Sequence, residues 1–152
     1  MMESILEILQ AILLGFSIVG GTVAVITYHR DAKRRRAEWL MSFYEKFYEE
    51  PHHKKIRYIL DYQSAGYEEL KQAVESGEPD ERVERLVDYL NFFEFVGSLW
   101  RLGQISLRDI RMLFEYYLKN VRSQEWLRRF VQEEGFESLD LLLEEVGRGG
   151  SE

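Results

Sequence analysis

The polar residues best suited to chemistry lie within an aromatic stretch near the middle of the chain. Asn91 and Glu94 are three residues apart, so a helix would place them on one face, beside three phenylalanines. A carboxylate in apolar surroundings can serve as a general acid or base. No nearby pattern supplies a second catalytic group, however, and we therefore predict that the chain is not an enzyme.

Two other roles are open to this pair. Together with Trp100, Asn91 and Glu94 would form a contact site for a ligand or a partner protein. Alternatively, the pair bonds backbone groups, or an arginine such as Arg101 or Arg111, and pins the packing of its helix. A polar pair that is buried without partners is costly, so the structural role is the preferred interpretation.

The sequence offers little for a metal or a cofactor. Cysteine is absent, which excludes thiolate chemistry and cysteine-based zinc sites. The histidines are His29, His52 and His53, and the two adjacent ones do not share a helical face. We expect an exposed loop at Pro51 and then a solvated helix start, although residues 52–55 could bind an anion. No phosphate-binding loop, serine elbow or paired zinc-ligand motif occurs, so we predict no cofactor and no metal.

Apolar residues recur at helical spacing throughout residues 37–146, and no stretch alternates as a strand would. We therefore predict an all-α fold, with a bundle of about five to six helices behind an N-terminal transmembrane helix. Asp80 can cap a long helix, Ser106 and Asp109 have the form of a capping box, and Gly135 suits a helix C-terminus. The apolar face of the helix that Asp80 begins comprises Val83, Leu86, Val87, Leu90, Phe93 and Gly97.

An uncharged, mostly apolar run at residues 8–28 precedes the bundle. As a helix of about 21 residues it would be about 31 Å long, close to the hydrocarbon thickness of a bilayer. We therefore predict a transmembrane anchor at residues 1–29. A cleaved signal peptide and a buried core helix are the alternatives. Glu3 and Glu7 before the run, with cations after it, reverse the usual charge order of a signal peptide.

A basic juxtamembrane collar at residues 30–36 follows the run, and the segment before the run has no Lys or Arg. Cations beside a span stay on the cytoplasmic side. We therefore predict a single-pass inner-membrane protein with its N-terminus outside and its C-terminal domain in the cytoplasm. The collar either sets this topology alone or also contacts anionic lipid headgroups. Its cations are Arg30, Lys33, Arg34, Arg35 and Arg36.

Small and polar residues form a stripe along the predicted span, with a spacing near that of a left-handed helix seam. Small residues let helix backbones approach closely in lipid, and hydroxyl or amide groups can hydrogen-bond across the contact. The stripe therefore predicts pairing with a second copy or with another protein, unless its glycines only reflect the composition of membrane helices. Its members are Gln10, Ser17, Gly20, Gly21, Ala24 and Thr27.

The charge of the rest of the chain is acidic. The net charge is −7 for the whole chain and −9 for residues 37–152. An acidic domain behind a small basic collar argues against nucleic acid as a partner. The helical bundle domain is predicted at residues 37–146, and a glycine-rich flexible tail at residues 147–152.

One part of the bundle has the form of a family signature. Residues 90–97 read Leu-Asn-Phe-Phe-Glu-Phe-Val-Gly, residues 103–106 read Gly-Gln-Ile-Ser, and Tyr116 and Trp126 follow. This pattern resembles a bacterial group of small membrane-anchored proteins, domain-of-unknown-function family 4760. The resemblance implies one N-terminal span and a basic collar before a helical domain, and it implies no reaction.

These features predict a membrane-tethered helical interaction or scaffold module that self-associates or binds partner proteins at the inner face of the membrane. Tethering would raise the effective concentration of the bundle for its neighbours. The alternative is a membrane effector of bacterial stress or antiviral defence. In that case the bundle would sense a signal, and clustered spans would permeabilise the bilayer.

Overall fold

A computed structural model describes residues 27–28, 30–31, 34–63 and 66–148 of the chain. Helices and their connecting loops account for all of these residues, and no strand occurs among them. The prediction of an all-α protein is therefore confirmed. The predicted span at residues 8–28 lies outside the described residues except for its last two positions. Within the described part of the chain, no helix is both long and apolar enough to cross a membrane.

The chain divides into two compact units, residues 1–42 and residues 43–152. In the first unit, Thr27 is the only member of the predicted stripe among the described residues, and it is exposed. The collar cations Arg30, Arg34, Arg35 and Arg36 are exposed as well, and Lys33 lies outside the described residues. The other members of the predicted stripe also lie outside the described residues; they are Gln10, Ser17, Gly20, Gly21 and Ala24.

Seven helices are described. Helix α1 covers residues 34–49, with the boundary between the two units inside it, and it ends before Pro51 as predicted. The others are α2 at Pro51–Tyr62, α3 at Gly66–Ser76, α4 at Glu81–Arg101, α5 at Leu107–Ser123, α6 at Glu125–Glu133 and α7 at Glu137–Arg148. Gly147 and Arg148, which the sequence places in the flexible tail, belong to the last turn of α7.

The predicted helix caps are confirmed. Asp80 accepts a hydrogen bond from the backbone N–H of Arg82 at the start of α4. Ser106 and Asp109 form a reciprocal capping box at the start of α5. Gly135 has a φ of +76°, a left-handed conformation that glycine adopts without a steric penalty, and it lies just after the end of α6.

The centre of the second unit is built from aromatic rings. The Phe47 ring of α1 lies 5.2 Å from the ring of Phe93 on α4 and 5.2 Å from that of Phe114 on α5, both edge to face. All three side chains are fully buried. Helix α4 packs against α2, α3 and α7, and α5 packs against α2, α6 and α7. Because α4 contacts neighbours on several sides, it fixes the positions of most candidate functional residues.

Candidate functional site

The three residues predicted as a contact site do not come together. Glu94 is half-buried and faces α7, whereas Asn91 is exposed to solvent. Trp100 is half-buried and lies nine residues beyond Asn91 on the same helix, about 14 Å along the axis. The structure therefore assigns different surroundings to each of them.

Glu94 closes the N-terminus of another helix. Its two carboxylate oxygens accept hydrogen bonds from the backbone N–H groups of Ser138, at 3.1 Å, and Leu139, at 2.8 Å. These N–H groups belong to the first turn of α7, where no carbonyl of the same helix can reach them. The positive end of the helix dipole also favours a carboxylate there. Of the alternatives left open by the sequence, backbone bonding is the one observed.

Neighbouring residues of α4 reinforce this contact. Gly97 lies so close to α7 that a Cβ atom at this position would be 2.6 Å from the carbonyl oxygen of Ser138. The Ser98 hydroxyl lies 3.1 Å from the Ser138 hydroxyl, and Arg101 donates to the same hydroxyl at 3.1 Å. We call these four α4 residues and Ser138 the α4–α7 clamp. Since both oxygens of Glu94 are occupied, its chemistry in this arrangement is that of a structural acceptor.

The two arginines considered as partners for Glu94 contact α7 instead. Arg101 belongs to the clamp, and Arg111 on α5 donates to the carbonyl oxygen of Glu145, at 3.0 Å, near the C-terminal end of α7. Helix α7 is thus hydrogen-bonded by side chains from two other helices, one near each of its ends. The α4 residues of the clamp are three or four positions apart in the sequence, which places them on one helical face. Their partner, Ser138, is more than 35 residues away along the chain, so the spacing within α4 does not reveal it.

The prediction of an exposed loop at Pro51 is wrong for one of its histidines. Pro51 opens α2, His52 is exposed, and His53 is buried with only 5% of its surface accessible. The His53 ring lies 5.6 Å from that of Phe92 and 5.9 Å from that of Tyr89. Burial lowers the pKa of His53 below its ordinary value of 6.5. Its position is therefore that of a neutral core residue.

A buried arginine was missed by sequence reasoning. Arg57 on α2 donates to the carbonyl oxygens of Phe47 and Tyr48, the latter at 3.1 Å, and so satisfies the C-terminal end of α1. Its guanidinium carbon lies 4.7 Å from the Phe47 ring centre and 4.6 Å from that of Tyr48. A cation over an aromatic face is attracted by the ring quadrupole. The signal available in the sequence was that a charged residue, Arg57, lies between the apolar residues Ile56 and Leu60.

Metal binding finds no support in the described part of the chain, where no group of three or more His, Asp or Glu side chains is placed to hold an ion. Residues His52 and Asp88 approach to 3.9 Å at the surface, but both are largely exposed. This contact is a weak surface ion pair at most.

Two surfaces of the second unit are suited to binding. The first is an apolar strip on the solvent-facing side of α4 and its C-cap, which we call the α4 strip. It is formed by Phe95 and Leu99 on α4 and by Leu102, the C-cap residue. Phe95 is 52% exposed and Leu102 is 71% exposed, while Leu99 is half-buried. Their spacing of four and three residues puts them on one helical face, and Asn91 continues that face by one turn.

The second surface is a groove between α2 and α4 with a volume of about 530 Å³. Its lining is almost entirely apolar, although half of the residues that form it are cationic. The aliphatic stems of these long side chains therefore build the walls, with the charged groups at the rim. We call it the α2–α4 groove. It is lined by Pro51, Lys54, Lys55, Ile56, Tyr58, Ile59, Arg82 and Arg85.

Comparisons with known proteins add no assignment to this geometry. The chain matches no family model, no curated protein and no solved structure. The resemblance to domain-of-unknown-function family 4760 therefore stays a prediction. The α4 strip, the α2–α4 groove and the α4–α7 clamp are the features of the described residues that bear on function.

Proposed function

We propose that this chain is a membrane-tethered helical interaction module that self-associates or binds partner proteins at the inner face of the membrane. The α4 strip is the observation that carries the proposal. Large apolar side chains scattered singly over a surface are ordinary, whereas neighbouring ones on a single helical face are typical of a protein contact site. Asn91 adds a polar group at the end of the strip, as contact rims often do.

The packing of the strip supports the same interpretation. Phe95 lies 6.0 Å from the ring of Phe43, so its inner edge is held by the core while 52% of its surface faces solvent. An aromatic side chain already fixed by its own protein loses little conformational freedom when a partner covers it. The strip is therefore a pre-organised contact surface for a second copy or for another protein.

The membrane anchor completes the proposed mechanism. A span at residues 8–28 would confine the bundle to two dimensions and raise its effective concentration for neighbouring proteins. The collar at residues 30–36 would keep the bundle on the cytoplasmic side of the inner membrane and offer cations to anionic headgroups. The exposure of Arg34, Arg35 and Arg36 is in keeping with such contacts. No cofactor, metal or nucleic acid has a part in this proposal.

A photocrosslinking experiment tests the α4 strip. A photoreactive phenylalanine analogue is placed at Phe95 in the full chain, and the cells are irradiated before the membranes are isolated. We expect adducts of defined mass, whose peptides identify either a second copy or one partner protein. Met112 on α5 is the matched control position, because it is a large apolar side chain that is 70% exposed and stands outside the strip.

The outcome separates contact from random collision. Adducts at position 95 without adducts at position 112 support the proposal. Equal labelling at both positions, or no adduct at position 95, contradicts it. A second variant, with Leu102 replaced by Asp, should remove the adduct at position 95 while the helical circular dichroism signal is unchanged, because Leu102 is largely exposed.

A further inference from the structure

The α2–α4 groove combines an apolar floor with a cationic rim. The Ile56 side chain at its floor is 1% exposed, Ile59 is half-buried, and Tyr58 at its edge is 60% exposed. The rim carries Lys54 and Lys55 from α2 and two arginines from α4. The groove lies at the N-terminal half of α4, about ten residues or 15 Å along the axis from the start of the α4 strip. It is therefore a separate surface.

The charges at the rim are only partly neutralised. Arg82 pairs with Asp80 and Glu69, and hydrogen bonds from Arg82 lower the pKa of Asp80 to about 2. Arg85 pairs with Glu81. Neither lysine ammonium forms an ion pair within the described residues. Two free cations beside an apolar floor, in a domain whose net charge is −9, point to an acidic and apolar occupant.

The shape of the groove decides between a small molecule and a protein segment. Pockets for small ligands bury most of the ligand surface. This groove is only partly enclosed, so a fatty acid or a similar amphiphile would not be fully covered by it. A helix of a partner protein would be shielded on its outer side by the rest of that protein. Amphipathic helices are known to bind in such grooves through apolar side chains at helical spacing.

We propose that the α2–α4 groove binds an acidic amphipathic helix of a partner protein. Apolar side chains on one face of that helix fill the space over Ile56 and Ile59. Carboxylates flanking that face meet Lys54 and Lys55, which fixes the direction of the helix and rejects basic segments. This inference deepens the proposed function and rests on it, because it names the chemistry of a partner protein, but it neither needs nor involves the α4 strip.

The test uses a designed peptide as the probe. The peptide has about 18 residues, leucines along one helical face and glutamates on both sides of it, and a fluorescent label. Its binding to the full chain in phosphatidylcholine nanodiscs is measured by fluorescence anisotropy, with empty nanodiscs subtracted. The matched probe is the same peptide with every Glu replaced by Lys. We expect the acidic peptide to bind at least about tenfold more tightly than the basic one.

Variants of the chain locate the site. Lys54→Glu combined with Lys55→Glu should weaken acidic-peptide binding by about tenfold or more and reduce the preference over the basic peptide. Lys46→Glu combined with Lys119→Glu is the matched control, because it makes the same change in net charge at exposed lysines that do not line the groove. Tyr58→Ala should weaken binding of both peptides, since it removes an exposed wall. Circular dichroism confirms that each variant is folded.

Several results would overturn the inference. Any one of three is sufficient: equal affinity for the two peptides, an equal loss of acidic-peptide binding in the two double variants, or no saturable binding. Binding of the wild-type chain to phosphatidylglycerol vesicles that is lost only in Lys54→Glu with Lys55→Glu would assign the groove to lipid. Loss of self-association in that variant would assign it to a second copy. Crosslinking at Phe95 is unaffected in the proposed arrangement, so failure of the groove and failure of the α4 strip are distinguishable.

Discussion

At the scale of single residues, Glu94 shows how a charge among phenylalanines is accommodated. The carboxylate costs free energy when it leaves water, and two backbone N–H groups at the positive end of α7 offset that cost. The same two N–H groups would be unsatisfied without it, since Ser138 and Leu139 are buried. The residue that looked most suited to catalysis is thus tied to the packing of two helices.

Replacing Glu94 should therefore change stability. Glu94→Ala leaves two buried N–H groups without an acceptor, and we expect the free energy of unfolding to fall by about 1–3 kcal/mol. Glu94→Gln keeps one acceptor oxygen and should cost less. Urea denaturation of the purified chain, followed by circular dichroism, measures both. Glu84→Gln is the control, because Glu84 is exposed on the same helix. Equal stability of Glu94→Ala and the wild type would contradict the capping role.

His53 predicts a pH dependence. Burial lowers its pKa below 6.5, Glu50 and Asp88 oppose this shift, and Arg57 adds to it. Below pH 6.5 the unfolded chain binds a proton that the folded chain does not. The free energy of unfolding therefore decreases as the pH is lowered, until the pKa of the folded state is reached. Above pH 6.5 the contribution of the neutral ring is fully present.

Denaturation between about pH 7.5 and 5.5 tests this dependence, because most carboxylates stay ionised over that range. His53→Phe should flatten the profile, since it keeps an aromatic ring beside Tyr89 and Phe92 and carries no titrating group. His52→Gln is the control, because it removes the neighbouring histidine, which is exposed. An unchanged slope in His53→Phe would show that another group causes the pH dependence.

At the scale of helices, the sequence predicted what depends on near neighbours. The caps at Asp80, at Ser106 with Asp109, and at Gly135 follow from residues one to three positions apart, and all were confirmed. The apolar face of α4 was predicted only in part. Val83 and Val87 are half-buried, whereas Tyr89, Phe92 and Val96 are buried in addition to the predicted positions.

There is a physical reason why the apolar face of α4 was predicted only in part. Helix α4 packs against α2 on one side and α7 on another, and its buried residues therefore cover more of its circumference than a single amphipathic stripe. The partner of Glu94 is 44 residues away, and Arg57 reaches the end of the preceding helix rather than its own helix. Such contacts depend on how the helices are arranged, which spacing along the chain does not encode.

The close approach of α4 and α7 gives a prediction at this scale. Alanine in the middle of a helix is ordinarily more stable than glycine by about 0.5–1 kcal/mol. At Gly97 the added Cβ would collide with the backbone of Ser138, so the two helices must move apart. We expect Gly97→Ala to lower the free energy of unfolding by about 1–3 kcal/mol, as overpacking does.

Urea denaturation again provides the measurement. Gly66→Ala is the control, because a Cβ at Gly66 would meet the Ile59 side chain at an ordinary 3.5 Å. The effects of Gly97→Ala and Glu94→Ala should not be additive, since both act through the contact with Ser138. A neutral or stabilising effect of Gly97→Ala would mean that the helices separate at little cost.

At the scale of the whole molecule, the proposed function links an anchor to two binding surfaces. The α4 strip is apolar, and the α2–α4 groove is apolar with a cationic rim, so one bundle offers contact sites of different chemistry. A tether makes weak contacts effective, because partners in the same membrane meet at high effective concentration. Moderate affinity at each surface would suffice for assembly at the membrane.

Substitutions in the stripe of the predicted span distinguish the interaction module from the alternative, a membrane effector. Ser17→Leu or Gly20→Leu places a bulky side chain where a second helix should approach, and native mass measurements in detergent should show a smaller assembly. Gly15→Leu is the matched control, because at 100° per residue Gly15 would lie on the opposite side of the predicted helix. Under the module proposal, expression of the wild type and of all three variants leaves the membrane potential unchanged. Depolarisation by the wild type that Gly20→Leu abolishes and Gly15→Leu retains would instead establish the effector, since clustered spans would then permeabilise the bilayer. A monomer for every form would contradict pairing through the stripe and leave the α4 strip to account for any self-association.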